Sequence, residues 1–389
     1  MTHGIHLIVS GILAFLIGLP SLYITFATWR VAHFGVKKKV VVHDQPPVTV
    51  LKPVCGLEPG LYENLRSFCQ QEYPEYQVVF GVRDRTDPAI SVIERIISEL
   101  PNRDLDFVID SQTIGPNLKI SNLHNMYRVA KHDILVIADS DIRVDQDYIS
   151  SIVQEFDDQR VGLVTCLYTG TPQGGLTSRL AAMFINEWFL PSVLAVATNR
   201  GVRFCFGATM VIRRGVLEKI GAFKALSSYL ADDFVLGRLV RQSGYTVKLS
   251  SYVVENIVWE KNFKELFMHE LRWARTVRSV EPIGHIFSFI MYGIPLAILA
   301  AICNHLTIDS DPLEIFGIIL SLLSRLGLRH SVYKAVRNSR KSPFWLLPIR
   351  DFLCFAIWGI SFFGRGIRWK ENRFYVNRTG HMIGKGTKS

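Results

Sequence analysis

The sequence predicts a mostly parallel α/β domain that is held at a membrane by apolar helices at both of its ends. Short β-branched strands alternate with helical patterns between about residues 47 and 262, which is typical of βαβ units on a parallel sheet. Stretches without formal charge precede and follow this region. They concentrate the apolar residues of a 389-residue chain whose hydrophobic fraction is 49% and whose mean hydropathy is +0.21.

The N-terminal apolar stretch predicts an uncleaved membrane anchor. Residues 5–29 contain no Lys, Arg, Asp or Glu, and a bilayer needs about 20 apolar residues to be crossed. Arg30 and the run from Lys37 to Lys39 follow this stretch, whereas a secretory signal has its positive charge before the apolar run. The positive-inside rule then predicts that the N-terminus lies outside and that the chain from about Arg30 onward is cytoplasmic.

The C-terminal region predicts a membrane hairpin followed by an interfacial helix and a basic tail. Two apolar stretches, Ile283–Cys303 and Leu313–Leu328, are joined by a loop without Lys or Arg, which favours an out-then-in hairpin. A last uncharged stretch, Phe352–Phe363, is too short for a comfortable span and predicts an interfacial or re-entrant helix. Residues 325–389 contain 14 Lys or Arg and two Asp or Glu, so the tail is expected in the cytoplasm.

Charge and cysteine content exclude several functional classes. The net charge is +10, but the excess sits among apolar stretches, which favours juxtamembrane charge over nucleic-acid binding. The six cysteines are scattered and form no C-x-x-C pair, so neither a zinc site nor a disulfide framework is indicated. A reducing compartment fits this cysteine usage.

The strands of the central region point to the place where chemistry is expected. Parallel sheets bind ligands beyond the carboxyl ends of their strands. The predicted strands are Val48–Val54, Tyr76–Val82, Asp106–Ile109 and Asp133–Ala138, and the helical patterns between them include Leu61–Gln71 and Ala89–Leu100.

Three carboxylates follow two of these strands. Asp84 comes after the second strand, and Asp139 and Asp141 form a D-x-D at the end of the fourth. Side chains two residues apart in extended chain share a face, and two hard oxygen donors suit Mg²⁺ or Mn²⁺ bridging to a diphosphate. The alternative is that Asp141 or Asp145 caps a following helix.

Two further segments combine charges in a way that suits catalysis. Asp232 and Asp233 are adjacent, and such a pair can raise the pKa of one member and create a general base, although acidic residues also favour a helix N-terminus. Within the segment 269–278, arginines at i, i+3 spacing share a helix face and could hold phosphates. The alternative for that segment is a basic amphipathic helix on anionic lipid. Lys119 lies in a turn that precedes a helix, and the local sequence alone predicts an ordinary loop with a solvated lysine there.

In their order and spacing, these motifs resemble the inverting GT-A glycosyltransferases of family 2 architecture, and more narrowly the ceramide glucosyltransferase family. The motifs are Asp84, Asp139-Ser-Asp141, Asp232-Asp233-Phe and His269-x-x-Arg272-Trp273. Five stretches are most similar to the bacterial branch of that family, the hopanoid-biosynthesis-associated glycosyltransferase: Leu51-Lys-Pro-Val-Cys-Gly, Phe80-Gly-Val-Arg-Asp84, Asn117-Leu-Lys119-Ile-Ser-Asn122-Leu, Phe204-Cys-Phe-Gly-Ala-Thr-Met and His269-Glu-Leu-Arg-Trp-Ala-Arg-Thr.

The resemblance covers about residues 47–280 and implies three domains. Residues 1–36 would be the membrane anchor, and residues 47–280 the cytoplasmic GT-A catalytic domain. Residues 281–389 would contain the membrane hairpin, the interfacial helix and the basic tail.

On the donor side, the resemblance implies a nucleotide-sugar site and a divalent metal, Mg²⁺ or Mn²⁺. Asp84 would contact the uracil or ribose of a UDP-sugar, with Lys119 near the nucleotide. Asp139 would hold the diphosphate side and contribute to the metal site, and Asp141 would bind the metal. Asp232 and His269 would also belong to the nucleotide-sugar site.

On the reaction side, the resemblance implies that Asp233 is the general base. Arg272 and Trp273 would close over the diphosphate and the acceptor entrance. A base that deprotonates a hydroxyl as it attacks the anomeric carbon in line gives inversion by one displacement, and metal and arginine stabilise the departing UDP.

The implied acceptor is a lipid hydroxyl. Processive polysaccharide synthases have Gln-x-x-Arg-Trp, whereas His269 occupies the first position here, which favours one transfer to a lipid. The apolar run Met183–Ala197 predicts a buried core helix, or else an interfacial helix that leads the acceptor to Asp233.

The expected function is therefore transfer of N-acetylglucosamine or glucose from UDP to a hopanoid polyol such as bacteriohopanetetrol. The protein is expected to be a multi-pass membrane protein, in the bacterial inner membrane if its acceptor is a hopanoid. No nucleic-acid partner is expected. The alternatives are a ceramide glucosyltransferase, a processive polysaccharide synthase and a non-catalytic nucleotide-binding scaffold.

Overall fold

The protein, seen in a computed structural model, divides into two compact units. A sheet unit contains Gly35–Gln173, Ala197–Trp259 and Gly366–Ser389, and a helical unit contains Met1–Phe34, Gly174–Val196 and Glu260–Arg365. The described residues are 2–35, 45–198, 201–307, 312–336, 342–364, 366–369, 372–376 and 380–384.

The strands all belong to the sheet unit. They are β1 (Val48–Pro53), β2 (Tyr76–Val82), β3 (Asp104–Ile109), β4 (Ile134–Ala138), β5 (Ile142–Arg143), β6 (Val161–Pro172), β7 (Thr209–Arg213), β8 (Thr246–Val258), β9 (Gly366–Trp369), β10 (Asn372–Val376) and β11 (Met382–Gly384).

The α-helices are divided between the units. Those of the sheet unit are α2 (Leu61–Cys69), α3 (Ala89–Glu99), α4 (Leu118–Tyr127), α5 (Tyr148–Val153), α8 (Arg214–Lys219) and α9 (Asp232–Gln242). Those of the helical unit are α1 (Thr2–Ala32), α6 (Leu176–Phe184), α7 (Leu190–Val196), α10 (Phe263–Val280), α11 (Pro282–Phe287), α12 (Gly293–Thr307), α13 (Pro312–Ala335) and α14 (Leu346–Ser361).

The main sheet has the order β3-β2-β1-β4-β7-β6-β8-β5. The four strands β3, β2, β1 and β4 run parallel, as do β6 and β8, whereas β7 is antiparallel to β4 and to β6, and β5 is antiparallel to β8. The predicted mostly parallel α/β sheet is confirmed, and the four strands expected from the sequence are present. Because β1, β2 and β4 are parallel, their carboxyl ends meet at one edge of the sheet.

Both faces of the parallel strands β1, β2 and β4 are buried, because apolar residues fill both sides of the pleat, whereas the edge strand β3 is only partly buried. Val50 and Val136 pack with α2 and α3 on one face, whereas Leu51, Leu135 and Ile137 pack with α4 and α9 on the other. The continuous apolar runs of these strands are typical of a parallel sheet covered on both sides.

The helical unit contains the helices that could cross a membrane. Three described stretches are long and apolar enough: Phe15–Ala32, Leu176–Val196 and Ile315–Ala335. The second is continuous from α6 to α7 through a π-helical turn at Ile185–Phe189, and 67% of it is buried. It contains most of the run for which the sequence favoured a core helix.

The predicted first arm of the C-terminal hairpin is bent. Pro282–Met291 and Gly293–His305 meet at 72°, which describes a broken span or a re-entrant loop. Helix α14, which includes most of the predicted interfacial segment, has 16 residues and is not one of the candidate spans found in the described chain.

Buried ion pairs join the helices of this unit. Arg325 on α13 and Asp351 on α14 lie 3.1 Å apart, and Asp351 also accepts a 2.9 Å hydrogen bond from the indole N–H of Trp188. Arg350 on α14 pairs with Glu270 on α10 at 2.6 Å. Removing one partner of such a pair leaves a buried charge uncompensated, so these contacts fix which helices are neighbours.

Gly237 allows α9 to approach the preceding chain closely. A Cβ atom at Gly237 would lie 2.8 Å from the Cα of Phe204 and 2.9 Å from the amide nitrogen of Cys205, both backbone atoms that cannot rotate away. We therefore predict that Gly237→Ala lowers the melting temperature of the purified chain, because overpacking costs about 1–3 kcal/mol.

Gly215, on helix α8, is the matched control, because no atom lies within 4 Å of a Cβ placed there. Gly215→Ala should leave the melting temperature unchanged or slightly higher. Tryptophan-fluorescence melting in detergent compares the two variants, and equal melting temperatures would contradict the close approach of α9.

Candidate active site

The candidate site lies at the carboxyl edge of the parallel strands in the sheet unit. Strand β4 is buried throughout and ends at Ala138, so Asp139 and Asp141 come directly beyond the sheet edge. Asp141 does not cap a helix, since α5 begins only at Tyr148 and is preceded by Asp147. The capping alternative considered for Asp141 is therefore wrong.

Lys119 brings two acidic motifs together. Its Nζ lies 2.5 Å from Asp139 Oδ1 and 3.9 Å from Asp232 Oδ2, and its side chain is only 18% exposed. Burial alone would lower the pKa of this ammonium group, but the charges of Asp139 and Asp232 and the hydrogen bond to Asp139 raise it above its usual value. Lys119 is therefore a fixed cation between the D-x-D and the D-D motif.

The first turn of α4 holds Lys119 in place. Asn117 is fully buried, and its side-chain oxygen accepts a hydrogen bond from the backbone N–H of Ile120, which caps the helix. The amide group of Asn117 donates to the Tyr229 carbonyl oxygen at 2.9 Å and approaches Asp232 Oδ1 at 3.5 Å. The same residue therefore orients both the helix of Lys119 and the loop before α9.

The Asp232-Asp233 pair occupies the first turn of α9, where the helix dipole favours acidic side chains. Asp233 Oδ2 accepts a 3.0 Å hydrogen bond from the backbone N–H of Gly207. Gly207 lies among the charged groups, since a Cβ atom there would be 3.5 Å from each of Asp139 Oδ2, Asp233 Oδ2 and Lys119 Nζ.

Burial raises the pKa values of both carboxyl groups of this pair. Burial and the charges of Asp233 and Asp139 raise the pKa of Asp232 to about 6, against the lowering effect of Lys119. Burial also raises the pKa of Asp233, although Lys119 and the backbone N–H groups of Phe234 and Gly207 lower it. A carboxylate with a raised pKa is a stronger base, which suits removal of a proton from a hydroxyl.

The D-x-D fits a hard divalent cation that takes further ligands from a substrate. Asp141 Oδ1 is buried and has no hydrogen-bond partner in the described part of the chain, and burial, with the charges of Asp139 and Glu58, raises the pKa of Asp141 to about 7. Among the residues that the structure describes, no group of three His, Cys, Asp or Glu side chains could hold a metal. Mg²⁺ is commonly bound through one or two carboxylates together with phosphate oxygens and water, so a D-x-D without a third protein ligand is compatible with it.

A buried lysine on β1 forms a hydrogen bond to the backbone of the D-x-D. Lys52 on β1 is fully buried, donates a 2.5 Å hydrogen bond to the Asp139 carbonyl oxygen and lies 3.9 Å from the ring centroid of Phe68. Burial lowers the pKa of Lys52 to about 7, against the charges of Asp141 and Asp139. The stretch that includes Lys52 contributed to the family resemblance, but the residue had no role assigned from the sequence.

Asp84 lies in an open cleft of the same unit, beyond the end of β2. Its Oδ1 accepts 2.8 Å hydrogen bonds from the backbone N–H and the hydroxyl of Thr86, which lower the pKa of Asp84. The cleft has a volume of about 500 Å³ and is lined by Arg83, Asp84, Arg85, Ile109, Asp110 and Ser111. The ion pairs of Lys119 among the described residues are with Asp139 and Asp232, and Asp84 is not one of these partners.

The remaining predicted residues share one face of α10 in the helical unit. Arg272 and Trp273 follow His269 by three and four residues, and the ring centroids of His269 and Trp273 lie 4.5 Å apart. His269 Nδ1 lies 2.7 Å from Glu260 Oε1, and this contact fixes the orientation of the imidazole. Glu260, like Asn117 and Gly207, was not among the predicted site residues.

Comparison with known proteins identifies the family. A family model described as glycosyl transferase family 21 matches residues 12–382. Ceramide glucosyltransferase 3 of Caenorhabditis elegans is 24% identical over 357 residues, which cover 87% of this chain and 74% of that protein. A ceramide glucosyltransferase of Gibberella zeae is 36% identical over 129 residues, which cover 31% of this chain and 24% of that protein.

A solved structure supports the fold. The mannosyltransferase PcManGT from Pyrobaculum calidifontis, in complex with GDP-Man and Mn²⁺, superposes with a TM-score of 0.59 at 19% identity and covers 93% of this chain and 99% of its own. The likeness confirms the predicted GT-A fold. With the family model matching almost the whole length of the sequence, the chain belongs to glycosyl transferase family 21 and is a glycosyltransferase, as the sequence predicts.

Proposed function

We propose that the chain is a membrane-bound inverting glycosyltransferase that transfers glucose from UDP-glucose to the primary hydroxyl of ceramide. The observation that carries this proposal is the pairing of Lys119 with Asp139 and Asp232. This pairing joins a metal-compatible D-x-D to the acidic pair that contains the candidate base, Asp233. The relatives named above are ceramide glucosyltransferases, so they support this acceptor better than the hopanoid polyol that was first in the sequence analysis.

The proposed reaction is a single displacement. Asp233 takes the proton of the acceptor hydroxyl as that oxygen attacks the anomeric carbon of the sugar. The bond from the anomeric carbon to the UDP oxygen breaks on the opposite face, and UDP leaves with the electron pair. The raised pKa of Asp233 supports its role as the base, because the carboxylate holds a proton more strongly than an exposed aspartate does.

The departing diphosphate needs positive charge, and two sources are proposed. Lys119 supplies a permanent cation within reach of the D-x-D. Asp139 and Asp141 would hold a divalent metal, Mg²⁺ or Mn²⁺, which when bound stabilises negative charge on the leaving diphosphate.

The remaining assignments depend on the family resemblance. Asp84 and its neighbouring arginines are proposed to receive the uracil or ribose, since the cleft that they line is open and polar. Arg272 and Trp273 are proposed to close over the diphosphate and the acceptor entrance. His269 is proposed to contact the nucleotide sugar, with Glu260 holding its ring in a fixed orientation.

The proposed location is a membrane with the catalytic domain, residues 47–280, on the cytoplasmic side. Two of the apolar helices long enough to span a bilayer, Phe15–Ala32 and Ile315–Ala335, lie outside these residues and support the membrane assignment. The side is argued from Arg30 and the three lysines after the first span, which the positive-inside rule places in the cytoplasm.

A donor and acceptor matrix tests this proposal. The full chain in nanodiscs is incubated with UDP-glucose or UDP-N-acetylglucosamine and with ceramide or bacteriohopanetetrol, and products are identified by mass spectrometry. Hexosylceramide formed from UDP-glucose is the expected product. A product formed only with the hopanoid polyol would overturn the acceptor assignment, and a sugar polymer would overturn single transfer.

The base assignment gives a second prediction. Asp233→Asn should reduce turnover by about 10²–10⁴-fold, because the amide cannot accept the hydroxyl proton in the same way. UDP binding, measured by calorimetry, should stay within about twofold of the unchanged chain. Asp157→Asn is the control, since Asp157 is exposed, and it should leave turnover unchanged. Turnover of Asp233→Asn close to that of the unchanged chain would rule out the base role.

The metal assignment gives a third prediction. Asp141→Ala should abolish the increase in UDP affinity that Mn²⁺ produces in the unchanged chain, as measured by calorimetry with and without EDTA. Asp145→Ala is the matched control, because Asp145 is an exposed aspartate four residues after Asp141, and it should keep the Mn²⁺ effect. An undiminished Mn²⁺ effect in Asp141→Ala would show that Asp141 does not bind the metal.

A further inference from the structure

A C-terminal segment docks on the loop that leads to the acidic pair. The backbone N–H of Met382 donates to the Ser228 carbonyl oxygen at 2.8 Å, and the N–H of Leu230 donates to the Gly380 carbonyl oxygen at 3.4 Å. These bonds flank an antiparallel bridge between Tyr229 and His381. Met382 opens β11, which pairs with β10, so the docked segment is continuous with the three-stranded C-terminal sheet.

His381 adds a side-chain contact to this backbone pairing. Its imidazole packs on the ring of Tyr229 with the centroids 4.1 Å apart and the planes inclined by 37°. The guanidinium of Arg238, on α9, lies 5.9 Å from the centroid of the same tyrosine ring. Tyr229 therefore links the C-terminal segment to the helix that begins at Asp232.

The other side of this loop, residues 227–231, packs closely against the turn at Gly115. A Cβ atom at Gly115 would lie 2.6 Å from the Cβ and 2.7 Å from the carbonyl oxygen of Ser227, so these two turns are in close contact. The backbone N–H of Asn117 donates to the same Ser227 carbonyl oxygen at 2.9 Å, and its side-chain amide donates to the Tyr229 carbonyl oxygen. The loop is thus held between the turn of Asn117 and the C-terminal segment.

We propose that the C-terminal segment Gly380–Met382 supports the active site by holding the loop before α9, and that His381 is a positioning residue for the Asp232-Asp233 pair. This inference depends on the proposed role of Asp233 as the base. The segment completes the support of the loop from the side that the Asn117 turn does not reach. Because the loop is fixed between two supports, the carboxylates of Asp232 and Asp233 at its end keep the positions relative to Lys119 that the reaction requires.

The expected effect is on turnover and not on donor binding. His381→Ala removes the ring that packs on Tyr229, so kcat should fall about tenfold, since small displacements of a catalytic group are costly. The KM for UDP-glucose should change less than about twofold, because Lys119 and the D-x-D are untouched. His381→Phe keeps an aromatic ring in place and should restore most of kcat. His305→Ala, on an exposed histidine of α12, is the matched control and should have no effect.

Docking itself is tested without any substrate. Residues that face each other in a non-hydrogen-bonded antiparallel pair have Cα atoms about 4.5 Å apart, which a disulfide can bridge. The double variant Tyr229→Cys with His381→Cys, in a background where exposed Cys55 and Cys303 are serine, should form a disulfide on mild oxidation. Peptide mass spectrometry without reductant detects the link, and the single variant Tyr229→Cys is its control.

The outcomes separate this inference from the proposed function. Absence of the disulfide would overturn the docking. A disulfide together with an unchanged kcat in His381→Ala, or a kcat that His381→Phe fails to restore, would overturn the positioning role. If the unchanged chain transfers no sugar to ceramide, the proposed acceptor fails, and the same kcat comparison is then made with the acceptor that is used.

Discussion

The candidate site depends on one mostly buried ammonium group. Asp139 follows β4, whereas Asp232 and Asp233 begin α9. Removing these charges from water beside one another is unfavourable without a compensating cation. Lys119 supplies that cation at 2.5 Å from Asp139 and 3.9 Å from Asp232. The end of β4 and the start of α9 therefore belong to one site because the first turn of α4 lies between them.

A backbone N–H and a side-chain amide also stabilise the arrangement of these carboxylates. Gly207 donates its N–H to Asp233 from a position where the side chains of Asp139 and Lys119 are also close. Asn117 caps α4 and holds the loop before α9 with the same side chain. The donors that hold the acidic pair and its loop are thus a backbone N–H and a side-chain amide, and neither donor belongs to a predicted catalytic residue.

The sequence predicts the parts of this arrangement that depend on local pattern. Apolar β-branched runs predict β1, β2 and β4, and the parallel order then explains why residues after β2 and β4, including Asp84, Asp139 and Asp141, lie beyond the same edge. Lys119 has no local signature apart from a turn, and only the family resemblance brought it into the site. Gly207 donates its backbone N–H to a residue 26 positions away, and the amide group of Asn117 donates to a residue 112 positions away. Contacts at such distances in sequence leave no periodic pattern.

The same limit applies to the membrane helices. Hydropathy identifies apolar stretches but not their bends. The 72° break after Met291 lies next to Gly293 and Pro295, which favour a helix boundary but do not interrupt the uncharged run Ile283–Cys303. The length of the run Met183–Ala197 predicts a core helix, although Glu187 interrupts its apolar pattern. In the structure, Glu187 pairs with Arg329 at 2.8 Å inside the helical unit. Long-range charge pairing can make a polar residue compatible with an apolar helix, and composition alone does not show it.

Replacement of the central cation is the most direct measurement. Lys119→Met keeps the length and most of the volume of the side chain but removes its charge. Lys131→Met, the control, changes an exposed lysine that follows the C-terminus of α4. Turnover of both variants with UDP-glucose and ceramide is compared in nanodiscs. A loss of about a hundredfold or more for Lys119→Met, with Lys131→Met unaffected, is expected if Lys119 organises the site. Turnover of Lys119→Met within twofold of the unchanged chain would contradict that role.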